Sequence, residues 1–339
     1  MRFAEAWLVA LMLAGQTSAP APFAPSAPPA ALVPVHLQRY CMGTTIDIVA
    51  YHASRPEAER AVERAMQEIE RLDRVLSHFK ADSDLSRVNR EAHNGFVEVD
   101  PSLYEAIDAS LSFSRRSAGR FDVTIAPLLK VWQEAAASGR QPSDESLAAA
   151  RRCVGYDAIE LAPPNRIHLR SDCVAIDLGG IGKGYAVDRA IALLKADGIE
   201  HALVNAGGSS IAAMGAPPGA IGWPVRLGVR GADRDVLLLR DASMSTSQQR
   251  LVQLAFARGM VGDIINPRTG EPTMQPTKIV VVMPNGTAAD ALSTSLVMMS
   301  IEEARPLLDQ FEDVSALWIS PAGALQAAYH EPRLQFQAP

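Results

Sequence analysis

Only three of the 339 residues are cysteines, an odd and small number. That excludes the disulfide framework that staples small secreted domains. It leaves open one bridge beside a free thiol, or three buried thiols. Cys41, Cys153 and Cys173 have no Cys or His neighbours at zinc-ligand spacing, so zinc is not expected. A basic excess is also missing: 32 Lys and Arg stand against 38 Asp and Glu, a formal charge of -6, and the cations are scattered. Such a chain cannot neutralise a run of nucleic-acid phosphates, nor does it offer a handle on an anionic lipid surface. The apolar run at residues 6–15 falls short of the roughly 20 residues that a membrane-spanning helix needs. No short-period repeat is present, and neither a Walker loop nor the dinucleotide fingerprint of a Rossmann domain occurs.

What is present begins with an organisational gradient. Arg2, the apolar run and the small residues around Ser18 and Ala19 read as a targeting segment over residues 1–19. Residues 20–34 carry Pro20, Pro22, Pro25, Pro28, Pro29 and Pro34 among Ala and Ser, an extended spacer that cannot pack a core. The folded part is therefore expected over residues 35–335. At 48% apolar, the chain can bury one large core or two modest ones.

Strands and helices alternate there without a regular βαβ rhythm, which favours an α+β class of mixed, largely antiparallel sheets with flanking helices. Thr45 to Tyr51 puts Ile46, Ile48 and Ala50 on one side of a strand. Ser54 with Glu57 reads as a capping box opening a helix whose Val62, Ala65, Met66, Ile69, Leu72 and Leu76 share a face. A second helix runs from about Ser102 to Gly119, and a third follows Gly184 and stops at Gly198. Strands are expected at 201–205, 225–229, 236–240, 278–283 and 315–319. Thr287 is expected to open a fourth helix, and Pro306 to sit in the first turn of a fifth.

Three stretches can carry chemistry. In Ala175 to Asp188, an apolar strand end runs into Gly179, Gly180, Gly182 and Gly184, with Lys183 among them ahead of a helix. Glycine lets phosphate oxygens approach backbone amides, and a Lys beside them adds a point charge; a plain packing turn is the competing reading. Asp290 and Thr294, one helical turn apart, offer two hard oxygens to a cation such as magnesium. A capping role for Asp290 behind Thr287 competes with that. Asp263 to Pro272 leads an apolar pair into a turn at Pro267 and Gly270, with Arg268 readable as a solvated cation.

Together these stretches resemble the ApbE-type FAD:protein FMN transferases over roughly residues 36–330. Met42-Gly43-Thr44, Ser83 to Asn89, Phe121 to Leu128 with Trp132, and the glycine-Lys turn follow the family's order. So do Asn205 to Gly208, Thr246-Ser247, Ile264 to Gly270 and Ala289 to Leu292. The resemblance implies a T-fold-related architecture in which FAD is held with its pyrophosphate across Mg2+, and FMN is passed to a Thr or Ser hydroxyl of a target protein. It implies Asp290, Thr294 and the carbonyl of Gly180 as metal ligands. Met42, Phe79, Phe121, Asp122, Asp177, Lys183 and Ile264 would line the flavin or nucleotide. Lys183 would offset pyrophosphate charge, and Asp263 would stand where a proton acceptor is needed.

Departures from the family pattern gather at the reacting end. Asp263 stands where His is common, Asn266 where Asp is usual, and Gln248-Gln249 where Gly-Asp is usual; Ser209 replaces a frequent acid. An ordinary Asp is a far weaker base than His near neutrality. A metal-dependent FAD pyrophosphatase, a flavin-binding protein without turnover, and a purely structural module therefore stay open beside the transferase. Gln16 follows Leu13-Ala14-Gly15 where exported relatives carry a lipid-anchored Cys, so the expectation is a periplasmic protein, soluble or held by an uncleaved N-terminus. An exported or membrane redox protein is the implied target.

Overall fold

The protein is described from a computed structural model covering residues 31–230, 234–249, 251–253, 260–262, 264–273, 277–331 and 334–337. The expected targeting segment and most of the spacer lie outside these residues. The folded unit starts at Leu32. Strand β1 (Val33–Cys41) begins inside the stretch assigned to the spacer and pairs antiparallel with β2 (Thr44–His52). Met42 and Gly43 make the turn, at φ 52° and 71°, the pair of positive values that lets a two-residue hairpin follow strand twist.

Six further strands extend this hairpin: β3 (His201–Ala206), β4 (Ser210–Met214), β5 (Ala242–Gln248), β6 (Lys278–Met283), β7 (Ser315–Ile319) and β8 (Leu325–Tyr329). Each lies antiparallel beside its predecessor, so the order across the eight-stranded sheet equals the order along the chain. The expected α+β class with a largely antiparallel sheet is what the structure has.

Both faces of the sheet are covered. Ile46, Ile48 and Ala50 of β2, Ile279 and Val281 of β6, and Ala316 and Trp318 of β7 enter the main core. Their alternating neighbours Val49, Tyr51, Val280, Leu317 and Ile319 enter a second core, closed by the hairpin of Trp223–Arg226 and Val236–Leu239. Two-sided burial explains why β6 and β7 are apolar almost throughout instead of alternating with polar residues.

The helices are α1 (Arg55–Leu76), α2 (Asp84–Glu91), α3 (Pro101–Arg116), α4 (Ala126–Ser138), α5 (Asp144–Arg152), α6 (Gly182–Ala196), α7 (Gly286–Leu296) and α8 (Ile301–Leu308). The whole expected apolar face of α1, from Val62 to Leu76, is buried. Its expected capping box is not formed: Ser54 is the N-cap but its side chain makes no cap bond, and Glu57 lies 3.6 Å from His52 Nδ1 instead. The reciprocal box is on α8, between Ser300 and Glu303, and Pro306 sits in the second turn. The strand expected at 225–229 lies at Trp223–Arg226, because beyond Arg226 the chain enters a turn in which Asp235 takes the Gly228 and Val229 amides.

Helix α7 is capped by Asn285, whose side chain accepts from the Ala288 amide at 2.8 Å, not by Thr287. The Thr287 hydroxyl is taken by Asp188 of α6, which also accepts from the Gly286 and Thr287 amides at 2.7 and 2.8 Å. Burial pushes the Asp188 carboxyl up from its ordinary range, against the pull of these donors.

Cys153 and Cys173 form a disulfide, and Cys41 is free and buried. Burial, then the carboxylates of Asp73 and Glu70, push the Cys41 thiol up to about 11. The thiolate therefore keeps gaining as pH rises well past about 8.5, where an ordinary thiol is half ionised. Ellman titration of the unreduced protein in denaturant is expected to find one thiol per chain, rising to three after reduction. In the native state at pH 8 the reaction should be slow; three thiols without reductant would refute the bridge.

Candidate functional site

The motif from Ser83 to Asn89 serves the glycine turn. Ser83 caps α2 through the Ser86 amide at 2.9 Å, which sets Asn89 at the far end of that helix. Asn89 then takes both backbone groups of Ile176: its Nδ2 donates to the carbonyl at 2.9 Å and its Oδ1 accepts from the amide at 2.8 Å. Residues 175–178 are consequently not the strand end that their apolar sequence suggests. A side-chain amide satisfies the backbone that a neighbouring strand would otherwise pair. The Asp177 amide donates to Val123 O at 2.7 Å, and Asp177 Oδ1 accepts from Gly179 N at 2.6 Å, bending the chain into the turn.

Helix α6 begins at Gly182, earlier than expected, so Lys183 and Gly184 lie in its first turn. Its N-cap, Ile181, supplies no side-chain acceptor; the Gly182 amide donates to Leu178 O at 2.8 Å, and the Lys183 amide has no partner among the described residues. Gly184 is where α6 and α7 touch: a Cβ there would stand 2.2 Å from Gly286 O and 2.7 Å from Asp290 Cβ. The Gly184 amide donates to Asp290 Oδ2 at 2.9 Å, and the buried Ser245 hydroxyl of β5 lies 3.1 Å from Asp290 Oδ1. Asp290 is 4% exposed and makes no cap within its own helix, where Asn285 does, so the capping-box alternative behind Thr287 falls away; its carboxylate takes a first-turn amide of α6 instead.

Thr294 follows one turn later, its hydroxyl 3.5 Å from the Gly180 carbonyl oxygen. Ser293 joins Ser245 at 3.1 Å to Ser247 at 2.8 Å, and Ser247 lies 3.4 Å from the Thr294 hydroxyl. A chain of hydroxyls thus connects Asp290 to Thr294. Sequence reasoning did not find Ser245, because only the pairing of β5 with β6, under α7, brings it to the carboxylate.

These groups open onto a cleft of about 510 Å³. It is lined by the three expected ligand residues, Gly180, Asp290 and Thr294, and by Met42, Phe79, Phe121, Asp122, Asp177, Lys183 and Ile264. Residues spread over more than 250 positions thus meet on one wall. Asp263, the remaining expected site residue, lies outside the described residues. The cleft also takes in His78 and Arg120, which sequence reasoning passed over.

The walls are held by hydrogen bonds from several directions. Asp122 accepts from Thr124 N, Thr124 Oγ1 and Tyr156 N at 2.9, 2.6 and 2.9 Å. Burial nevertheless pushes its carboxyl above the usual range. Buried Gln249 donates to Thr273 O at 2.6 Å and accepts from Ile264 N at 3.2 Å, so this departure from the family pattern pins the segment that carries Ile264. Asn266 Oδ1 accepts from Arg268 N at 2.9 Å, and Trp132 Nε1 donates to Gly270 O at 2.8 Å. Arg268 is more than a solvated cation: its guanidinium donates to Ala118 O at 2.7 Å.

Among the described residues no group of three His, Cys, Asp or Glu side chains could hold a metal by itself. The donor set at the cleft is one carboxylate, one hydroxyl and one carbonyl, all hard oxygens. A Cβ on residue 180 would come within 3.1 Å of the Phe121 ring and 3.2 Å of Thr294 Oγ1, so glycine keeps that corner open. One carboxylate alone holds a divalent cation weakly; such a set fits magnesium that takes its remaining ligands from substrate phosphates and water.

The family model described as the ApbE family matches residues 42–318. The chain belongs to the ApbE family. It is 29% identical over 307 residues to the FAD:protein FMN transferase of Treponema pallidum, covering 84% of each chain. To the enzyme of the same name from Klebsiella pneumoniae it is 26% identical over 314 residues, covering 88% of this chain and 86% of that one. Its fold matches the crystal structure of the ApbE protein from Thermotoga maritima with a TM-score of 0.75 at 27% identity, over 87% of this chain and 96% of that one. The flavin transferase ApbE from Vibrio cholerae matches with a TM-score of 0.73 at 23% identity, over 88% and 97%, a likeness of fold.

The crossing at Gly184 gives this ApbE chain a sharp structural requirement. Gly184→Ala is expected to cost about 1–3 kcal/mol, the range for forcing atoms into a packed contact, because the obstacle is backbone. Urea unfolding measures the loss, and an unchanged midpoint would show that the helices separate easily.

Proposed function

We propose that this chain transfers FMN from FAD to a Ser or Thr hydroxyl of an exported or membrane redox protein, with magnesium at Asp290, Thr294 and the Gly180 carbonyl. The observation that carries the reading is Asp290 itself: a buried carboxylate held by Ser245 and by the Gly184 amide in the first turn of α6, in a chain of the ApbE family. The residues 6–15 and the Pro-rich stretch after them support an exported setting, hence a periplasmic one.

Bound there, magnesium would supply Lewis-acid neutralisation of the pyrophosphate. The protein's own groups do the rest. The Gly180 and Lys183 amides, which have no partner among the described residues, would receive phosphate oxygens, and the Lys183 side chain adds a cation at the same place. Phe121, Phe79, Met42 and Ile264 give apolar surface to a flavin or adenine ring and exclude water from one side. The hydroxyl chain from Ser245 to Thr294 holds the carboxylate and Thr294 in fixed relation, so little reorganises when substrate arrives.

The test mixes protein, FAD, magnesium and an exported redox domain with an exposed Ser or Thr, and runs the Klebsiella pneumoniae FAD:protein FMN transferase in parallel to check that the domain is a competent acceptor. Covalent in-gel flavin fluorescence is the expected result; AMP and free FMN without any adduct would replace transfer by hydrolysis. Asp290→Ala is expected to weaken magnesium-dependent FAD binding at least tenfold, about 1.4 kcal/mol by calorimetry, and more than Asp263→Ala does. Equal losses would contradict the metal role of Asp290.

A further inference from the structure

Forming a phosphoester from a hydroxyl requires a group that takes the hydroxyl proton. The titratable side chains lining the cleft, among the described residues, can be taken in turn. Asp122 already accepts three hydrogen bonds. Asp290 has a donor on each oxygen. Lys183 and Arg120 are cationic side chains that donate only, and Arg120 pairs with Glu303 at 3.0 Å. Asp177 gives one oxygen to the Gly179 amide.

His78 remains. Its Nδ1 lies 3.3 Å from the other oxygen of Asp177, whose side chain is 12% exposed against 31% for His78. The ring packs on Phe79 with 3.8 Å between centroids, and Nε2 has no hydrogen-bond partner among the described residues. It sits where the main cleft meets a second, more apolar cavity of about 400 Å³. A base with one ring nitrogen on a carboxylate and the other free has the arrangement that activates hydroxyl nucleophiles on unrelated folds.

The geometry points to His78 as a further catalytic residue, the group that accepts the proton of the acceptor hydroxyl, with Asp177 orienting its ring. This rests on the transfer reaction proposed above and supplies the base that Asp263 replaces by sequence. The acceptor oxygen bonds to the FMN phosphorus, and the bond from that phosphorus to the AMP oxygen breaks with its electron pair leaving on AMP. The hydroxyl proton moves to Nε2 while Nδ1–H stays toward Asp177, and the imidazolium then returns its proton to solvent. The charged groups around it are Asp177 and Lys183 at the junction, the Asp73–Lys80 pair at 2.7 Å in the second cavity, and Arg120, Asp122 and Asp290 in the main cleft.

The experiment compares wild type, His78→Gln and Asp263→Asn in single-turnover transfer across a pH series, with saturating FAD and magnesium and the acceptor domain named above. FAD affinity is measured alongside by calorimetry. His78→Gln is expected to bind FAD as wild type does and to transfer about 10²–10⁴-fold more slowly, with the acidic limb of the rate profile lost. Imidazole is expected to restore rate to His78→Gly, which a packing role for the ring would not allow. An active wild type whose His78→Gln matches it in rate and pH profile overturns the role of His78 alone. Loss confined to Asp263→Asn does the same. A wild type that forms no adduct overturns the transfer reading and this inference with it.

Discussion

Two helices far apart in the chain meet where a pair of glycines lets backbone approach backbone. Gly184, in the first turn of α6, and Gly286, at the start of α7, let the backbones close until the Gly184 amide reaches Asp290. Asp188 repeats the link one turn later by binding the first amides of α7. The site inherits its order from this crossing. Once α7 is fixed against α6, Thr294 is brought under Gly180 and Lys183 points along the same wall, because both helices are rigid over a turn.

The sheet supplies the third side of that corner. Ser245 lies on β5, between β4 and β6, and is fully buried beneath α7. Its hydroxyl carries one hydrogen and has two acceptors within 3.1 Å, Ser209 O and Asp290 Oδ1. It can therefore turn toward the strand when the carboxylate is otherwise occupied, without leaving either group stranded in a dry interior. A cation site built from a single carboxylate gains its selectivity from such surroundings as much as from ligand count.

The fold class was legible because strand alternation and helix faces are written locally: Ile46, Ile48 and Ala50, or Val62 through Leu76, need no knowledge of partners. The cleft was legible through motif order, which is why residues as distant as Met42 and Thr294 could be placed on one wall. Helix starts were read less well. Ser54 and Thr287 look like caps, yet the first makes no cap bond and the second gives its hydroxyl to Asp188. The same holds for residues 175–178, where the backbone of Ile176 is satisfied by Asn89 from 87 positions away. Ser245, His78 and the Cys153–Cys173 pairing carry no local signature, since each depends on which elements become neighbours.

The departures at the reacting rim make physical sense when separated into shape and chemistry. An acid at position 249 could accept from Ile264 N but, ionised, could not donate to Thr273 O; the amide of Gln249 does both. Trp132 and Arg151 add bonds to Gly270 O and Arg268 O on the same turn. The backbone of Ile264 is thus held by Gln249 and the Thr273 amide, and the turn that follows it by Trp132 and Arg151. With shape secured in this way, the proton-accepting task is free to sit elsewhere along the cleft. The place where a base with a carboxylate partner already exists is the His78–Asp177 pair, whose carboxylate is itself held by the glycine turn.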